Sequence, residues 1–202
     1  MTAEHTADPA APDTIVLIHG LWMTPRSWEK WVEHYEERGY RVLAPAYPGL
    51  EVEVEALNED PSLIEALTIP GVVEHYEGFI GELERPPILM GHSMGGLIVQ
   101  ILLDHGYGAA VLANFESGHQ DGYVNYNNDE RAPLLLIAGG EDHLQPASVN
   151  ESNFKHYRNS SAVTHYHEFP GRSHYTVGED GWEEVADYAL EWAESNATQP
   201  AT

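Results

Sequence analysis

Five consecutive residues, Gly91-His92-Ser93-Met94-Gly95, carry the clearest chemical signal in this chain. They match Gly-x-Ser-x-Gly, the pattern of a nucleophile elbow, a strand-to-helix turn so tight that only small residues fit around the serine. Gly91, Gly95 and Gly96 supply those small neighbours. Pro87 to Gly91 predicts a short buried strand and Met94 to His105, almost wholly apolar, a central buried helix, so the serine falls between the two elements the pattern requires. The helix N-terminus behind Ser93 adds backbone N–H groups and a partial positive charge. The competing reading is a glycine-rich helix start that only packs tightly.

A serine hydroxyl is a poor nucleophile near neutral pH. It needs a general base, and the base needs a carboxylate to orient it. Both are expected after the serine, the acid first and the histidine last. Beyond the elbow stand His105, His119, His143, His156, His165, His167 and His174. His174, in Gly171-Arg172-Ser173-His174, follows the last expected strand, and loops at strand carboxyl ends are where a parallel α/β sheet gathers reactive groups. His174 is therefore the expected base. Gly139-Gly140-Glu141-Asp142-His143 follows a strong strand at 134–138, and Asp142, with a short side chain held in a turn, is the expected acid. Glu141 is the runner-up and Glu116 a distant alternative.

Attack on a carbonyl also needs donors for the oxyanion. The N–H of Met94, directly after the serine, is one. The other is assigned to the Leu21 N–H in His19-Gly20-Leu21-Trp22, with His19 bracing that loop rather than acting as a base. Trp22, Phe115 and Tyr175 are expected to line an apolar substrate pocket. His165 and His167 alternate on one strand but have no third ligand at a telling spacing, so no metal site is expected.

These residues need a scaffold. β-branched runs alternate with amphipathic segments along the chain, which argues for a parallel sheet flanked by helices. Strands are expected at 15–18, 41–44, 87–91, 109–114, 134–138 and 163–169. Helices are expected at 25–38, started by Thr24-Pro25, and at 71–84, 94–105, 146–157 and from Trp182 onward. Residues 50–70 read as acidic loop with one short helix, and 115–133 as loop. The fold class is thus α/β, a three-layer α/β/α sandwich on a mostly parallel sheet of about six strands. One domain spans 14–194, between polar tails at 1–13 and 195–202.

Composition narrows the partners. The chain has 202 residues and no cysteine, which excludes disulfides and thiolate chemistry. With 33 acidic against 9 basic residues, the net charge of −24 repels nucleic acid and anionic membranes. Abundant carboxylate beside only Lys30 and Lys155 fits a solubilising acidic surface or salt adaptation. No apolar run reaches the roughly 20 residues of a membrane helix, and Met1 to Asp13 lacks the basic start and apolar stretch of a signal peptide. A cytoplasmic protein without stable membrane insertion is expected.

Together, Ile15 to Trp22, Gly91 to Gly96, Gly139 to Pro146 and Gly171 to His174 resemble the oxyanion loop, elbow, acid turn and histidine loop of the α/β-hydrolase superfamily, closest to its lysophospholipase and carboxylesterase-like branch. The resemblance implies hydrolysis of a small-molecule ester through an acyl-enzyme, with no cofactor. It departs from the family in two ways. No room precedes Ile15 for the usual N-terminal hairpin, and residues 115–133 cannot fold into a multi-helix cap, so a minimal core with an open site is expected. Alternatives are a thioesterase, an amidase, a hydroxynitrile lyase or a catalytically silent binding module on the same scaffold.

Overall fold

The computed structural model describes residues 11–52, 54–60, 62–65, 67–113 and 122–197. Six strands form one sheet: β1 (Thr14–Ile18), β2 (Arg41–Leu43), β3 (Ile88–Gly91), β4 (Ala110–Ala113), β5 (Leu134–Gly139) and β6 (Thr164–Phe169). Their order is β2-β1-β3-β4-β5-β6, and every pairing is parallel, so the sheet is wholly rather than mostly parallel among the described residues. Helices α1 (Glu29–Glu36), α2 (Val54–Glu59), α3 (Ser62–Glu65), α4 (Ile69–Gly81), α5 (Met94–Asp104), α6 (Ala147–His156) and α7 (Trp182–Asn196) fill the connections.

Both faces of the sheet are covered, which is why its interior strands are continuous apolar runs. Along β1 the side chains alternate. Val16 and Ile18 join a core with α4 and α5, while Ile15 and Leu17 join a second core with α1 and α7. The first core holds Tyr76, Leu97 and Leu102; the second holds Trp28, Trp31 and Trp182. Helix α5 is buried from Gly95 to Leu103, as its apolar sequence requires. The edge strand β6 is instead polar and half-buried, with His165 and His167 on it.

Several elements differ from the sequence expectation. The segment expected as one helix over 25–38 opens as a 3-10 turn, Pro25–Trp28, before α1 begins. Thr24 stops the chain there through its carbonyl, which accepts from the Ser27 N–H and hydroxyl, not through its side chain. Two short helices, α2 and α3, occupy the stretch read as loop with one. The last helix continues to Asn196, past the expected start of the tail. The strand expected over 109–114 is β4, an interior strand paired on both sides.

The order of strands places the site. From β1 the chain runs to β2 on one side, and β3 then pairs on the other, so the carboxyl ends of β1 and β3 flank a topological switch point. Ile18 and Gly91 are direct register partners there. Among the described residues no large cap covers this end: residues 122–133, before β5, contain no helix or strand.

Candidate active site

Ser93 stands directly after β3 with φ 54° and ψ −124°, the one non-glycine residue with positive φ among those described. Such a conformation costs on the order of 1–3 kcal/mol and persists only where packing enforces it. The packing is visible at two glycines. A Cβ on Gly91 would run into the Gly95 carbonyl, and one on Gly95 into the carbonyls of Ile18 and His19. The start of α5 is therefore pressed directly onto the end of β1. The bonds His92 N–H to Ile18 carbonyl (3.1 Å) and Gly96 N–H to Ser93 carbonyl (2.7 Å) close the elbow.

The loop after β1 packs against the serine. Gly20 sits so close that a Cβ there would lie 3.2 Å from Ser93 Cβ. A turn closed by the Met23 N–H on the Gly20 carbonyl (3.1 Å) places Leu21 and Trp22 at its corner. His19 braces this loop as expected. Its Nδ1–H donates to the Gly20 carbonyl (2.8 Å), while Tyr47 donates its hydroxyl to the His19 carbonyl (2.6 Å) and stacks at 4.2 Å. Burial holds the His19 pKa below its ordinary value, opposed by the bond to Gly20, so the ring stays neutral. Met94 begins α5, where the first N–H groups have no partner within the helix.

Asp142 and His174 meet. The two loops that follow β5 and β6 bring His174 Nδ1 to 2.7 Å from Asp142 Oδ2. Asp142 is 5% exposed, and its other oxygen accepts from the N–H groups of Leu144 (2.8 Å) and Gln145 (2.7 Å). Both carboxylate oxygens thus act as acceptors, and His174 Nδ1 donates. In a neutral ring that leaves Nε2 as the acceptor. Glu141, the runner-up, is exposed and takes part only through its N–H, bonded to the Arg172 carbonyl (2.9 Å). Glycine again permits the approach: a Cβ on Gly139 would lie 2.5 Å from the carbonyls of both Arg172 and Ser173.

Of the expected pocket residues, Trp22 is 79% exposed and Tyr175 43%. Phe115 lies outside the described residues, as does Glu116. Leu144, two residues after Asp142, is a further exposed apolar side chain, 81% exposed. The only sequence signal for it was its place in the acid loop. Behind the elbow, between the sheet and the α1–α7 layer, lies a void of about 30 Å³, room for a water or two but not for an acyl chain.

Two further residues were not singled out in the sequence. Glu179 accepts from the Ser173 N–H (3.1 Å) and hydroxyl (2.9 Å), buttressing the loop that carries His174. His92 donates from Nε2 to the His174 carbonyl (2.8 Å). On β6, His165 accepts from Trp192 Nε1 (2.7 Å) and His167 stacks on Tyr188 (4.2 Å), so both rings pack the edge strand against α7. The described residues hold no cluster of three potential metal ligands and no helix long and apolar enough to cross a membrane.

Solved structures share this architecture. A monoacylglycerol lipase of Paleococcus ferrophilus superposes with a TM-score of 0.69 at 19% identity, over 92% of this chain and 96% of its own. A pyrethroid hydrolase of Sphingobium faniae JZ-2 gives 0.68 at 16% identity, over 92% and 98%. An alpha/beta hydrolase from the sediment metagenome of the Mar Chica lagoon, Morocco, gives 0.70 at 17%, over 91% of each. No curated protein matches the sequence. The sequence pattern of the Alpha/beta hydrolase family matches residues 15–126, from β1 through the elbow and beyond β4. That is more than half of the chain, and with the switch-point geometry and the shared fold it establishes that the chain belongs to the alpha/beta hydrolase family.

Proposed function

We propose that this hydrolase cleaves carboxylic esters through an acyl-enzyme on Ser93. Ser93 Oγ attacks the ester carbonyl while His174 Nε2 takes its proton. The N–H groups of Leu21 and Met94 hold the oxyanion. The intermediate collapses, and His174 returns the proton to the departing alcohol. A water, activated by the same ring, then releases the acid. Asp142 keeps the ring turned with Nδ1–H toward itself and stabilises the imidazolium formed at each step. The sequence of steps requires no cofactor.

The observation that carries this reading is the 2.7 Å bond between His174 and buried Asp142, with the His174 carbonyl held at 2.8 Å by His92, the chain neighbour of the strained serine. A hydrogen-bonded histidine and carboxylate at that place is what a hydroxyl nucleophile needs. Similar structures named as a monoacylglycerol lipase and a pyrethroid hydrolase support it. The exposed Trp22, Leu144 and Tyr175 suit an ester with apolar flanks, and the net charge of −24 favours an uncharged one.

A panel of p-nitrophenyl esters of increasing acyl length tests the proposal. Wild type should show saturable turnover, and Ser93→Ala should lower kcat by at least about 10³-fold. Equal rates in both proteins, or no turnover of any ester, would overturn it.

A further inference from the structure

The elbow pattern leaves the residue before the serine open, and here it is a histidine with a specific placement. His92 is 3% exposed, and its ring lies between two loops of the site. On one edge, Nε2–H donates to the His174 carbonyl at 2.8 Å. The other edge faces the loop after β1, where a Cβ on Gly20 would lie 3.4 Å from Nδ1. The rings of His92 and His174 are 5.1 Å apart, and Tyr175 packs edge-on at 6.3 Å.

We infer that His92 is a positioning residue for His174, tying the backbone of that residue to the chain neighbour of Ser93. The inference rests on the ester-hydrolase reading. His174 then has two anchors that arise from different strand ends. Asp142, after β5, holds its ring; His92, after β3, holds its main chain. Glu179 and the Glu141 N–H hold the preceding residues Ser173 and Arg172, and the His92 bond is the contact that fixes the main chain at His174 itself. Misplacements of about 1 Å in such a site cost on the order of 10²-fold in rate.

Packing alone does not call for histidine here. Among the described residues Nδ1 of His92 is buried without a hydrogen-bond partner, a cost that an aromatic hydrocarbon of the same size would avoid. What the imidazole adds is the one N–H aimed at the His174 carbonyl. Its environment also keeps it uncharged. Burial pushes its pKa down to about 4, opposed by the bond to the His174 carbonyl, with the His174 ring and the Asp142 carboxylate as the ionisable groups acting on it. A neutral donor holds the loop without setting a second positive charge beside His174 when that ring takes the proton.

The test compares His92→Phe, which fills the space without a donor, with His92→Gln, whose amide nitrogen reaches the position of Nε2. His92→Phe should lower kcat by about tenfold or more with KM within about twofold, while His92→Gln stays within about threefold of wild type. A His92→Phe variant that keeps kcat within about threefold of wild type overturns the inference, and so does a His92→Gln variant that falls as far as His92→Phe. A merely structural role would move the two variants together with their unfolding temperatures. If wild type cleaves no ester, the function reading fails by itself. The anchor is then read by the downfield proton NMR signal of His174 Nδ1–H, which should be sharp in wild type and His92→Gln and broadened in His92→Phe; equal signals in all three overturn it.

Discussion

At the scale of single residues, the site depends on which groups donate and which accept. Asp142 accepts from His174, Leu144 and Gln145, so Asp142→Asn would place an amide donor against ring and backbone donors and favour the wrong His174 tautomer. A fall in kcat on the order of 10⁴-fold with a folded protein is expected; a fall of less than about tenfold would remove Asp142 from the role. His92 makes a separate prediction about stability. Its folded pKa of about 4 lies below the unfolded value near 6.5, so between those values the unfolded chain binds the proton and the folded one does not. Its contribution is therefore unimpaired above about pH 6.5 and is lost as pH falls toward 4, by up to about 3 kcal/mol. Urea unfolding across that window should show wild type losing stability relative to His92→Phe as pH falls from about 6.5 toward 4. Parallel curves would show that the ring is not buried in neutral form.

At the scale of elements, glycines set how closely the working loops approach. Gly139→Ala should push the loop 172–174 away from the end of β5, lowering kcat about tenfold or more while the fold survives. Gly78→Ala, inside α4 with open space around its Cβ position, should stabilise the protein by about 0.5–1 kcal/mol and leave kcat unchanged. Thermal unfolding and ester kinetics on the two variants check both statements, and a Gly139→Ala enzyme with wild-type kcat would contradict the first. The same elements show what was readable in the sequence. β1 and β5 are continuous apolar runs because both sheet faces are covered, and the elbow is legible because its glycines, strand and helix are adjacent in the chain. Asp142 and His174 follow from their places after strands. The His92 bond to the His174 carbonyl spans 82 positions and the buttress of Ser173 by Glu179 depends on a loop folding back on itself, and neither leaves a periodic or motif signal. The exposure of Trp22 and Tyr175 was also hidden, since an aromatic residue reads equally as pocket or core from the sequence.

At the scale of the whole molecule, the fold concentrates its reactive groups at one end of the sheet, where the described residues include no large cap. The net charge of −24 works against compaction through self-repulsion. Raising NaCl from about 0.1 M to 1 M shortens the screening length from roughly 10 Å to 3 Å and should raise the unfolding temperature by on the order of 5 °C. A flat or falling midpoint would mean that the carboxylates are compensated within the fold. Covalent labelling distinguishes a Ser93 nucleophile activated by His174 from an inert serine. Folded wild type treated with a fluorophosphonate should gain one adduct, located by peptide mass spectrometry on Ser93, and His174→Ala should label at least about 10³-fold more slowly. An adduct on another residue, no adduct in folded protein, or equal labelling of wild type and His174→Ala would contradict it.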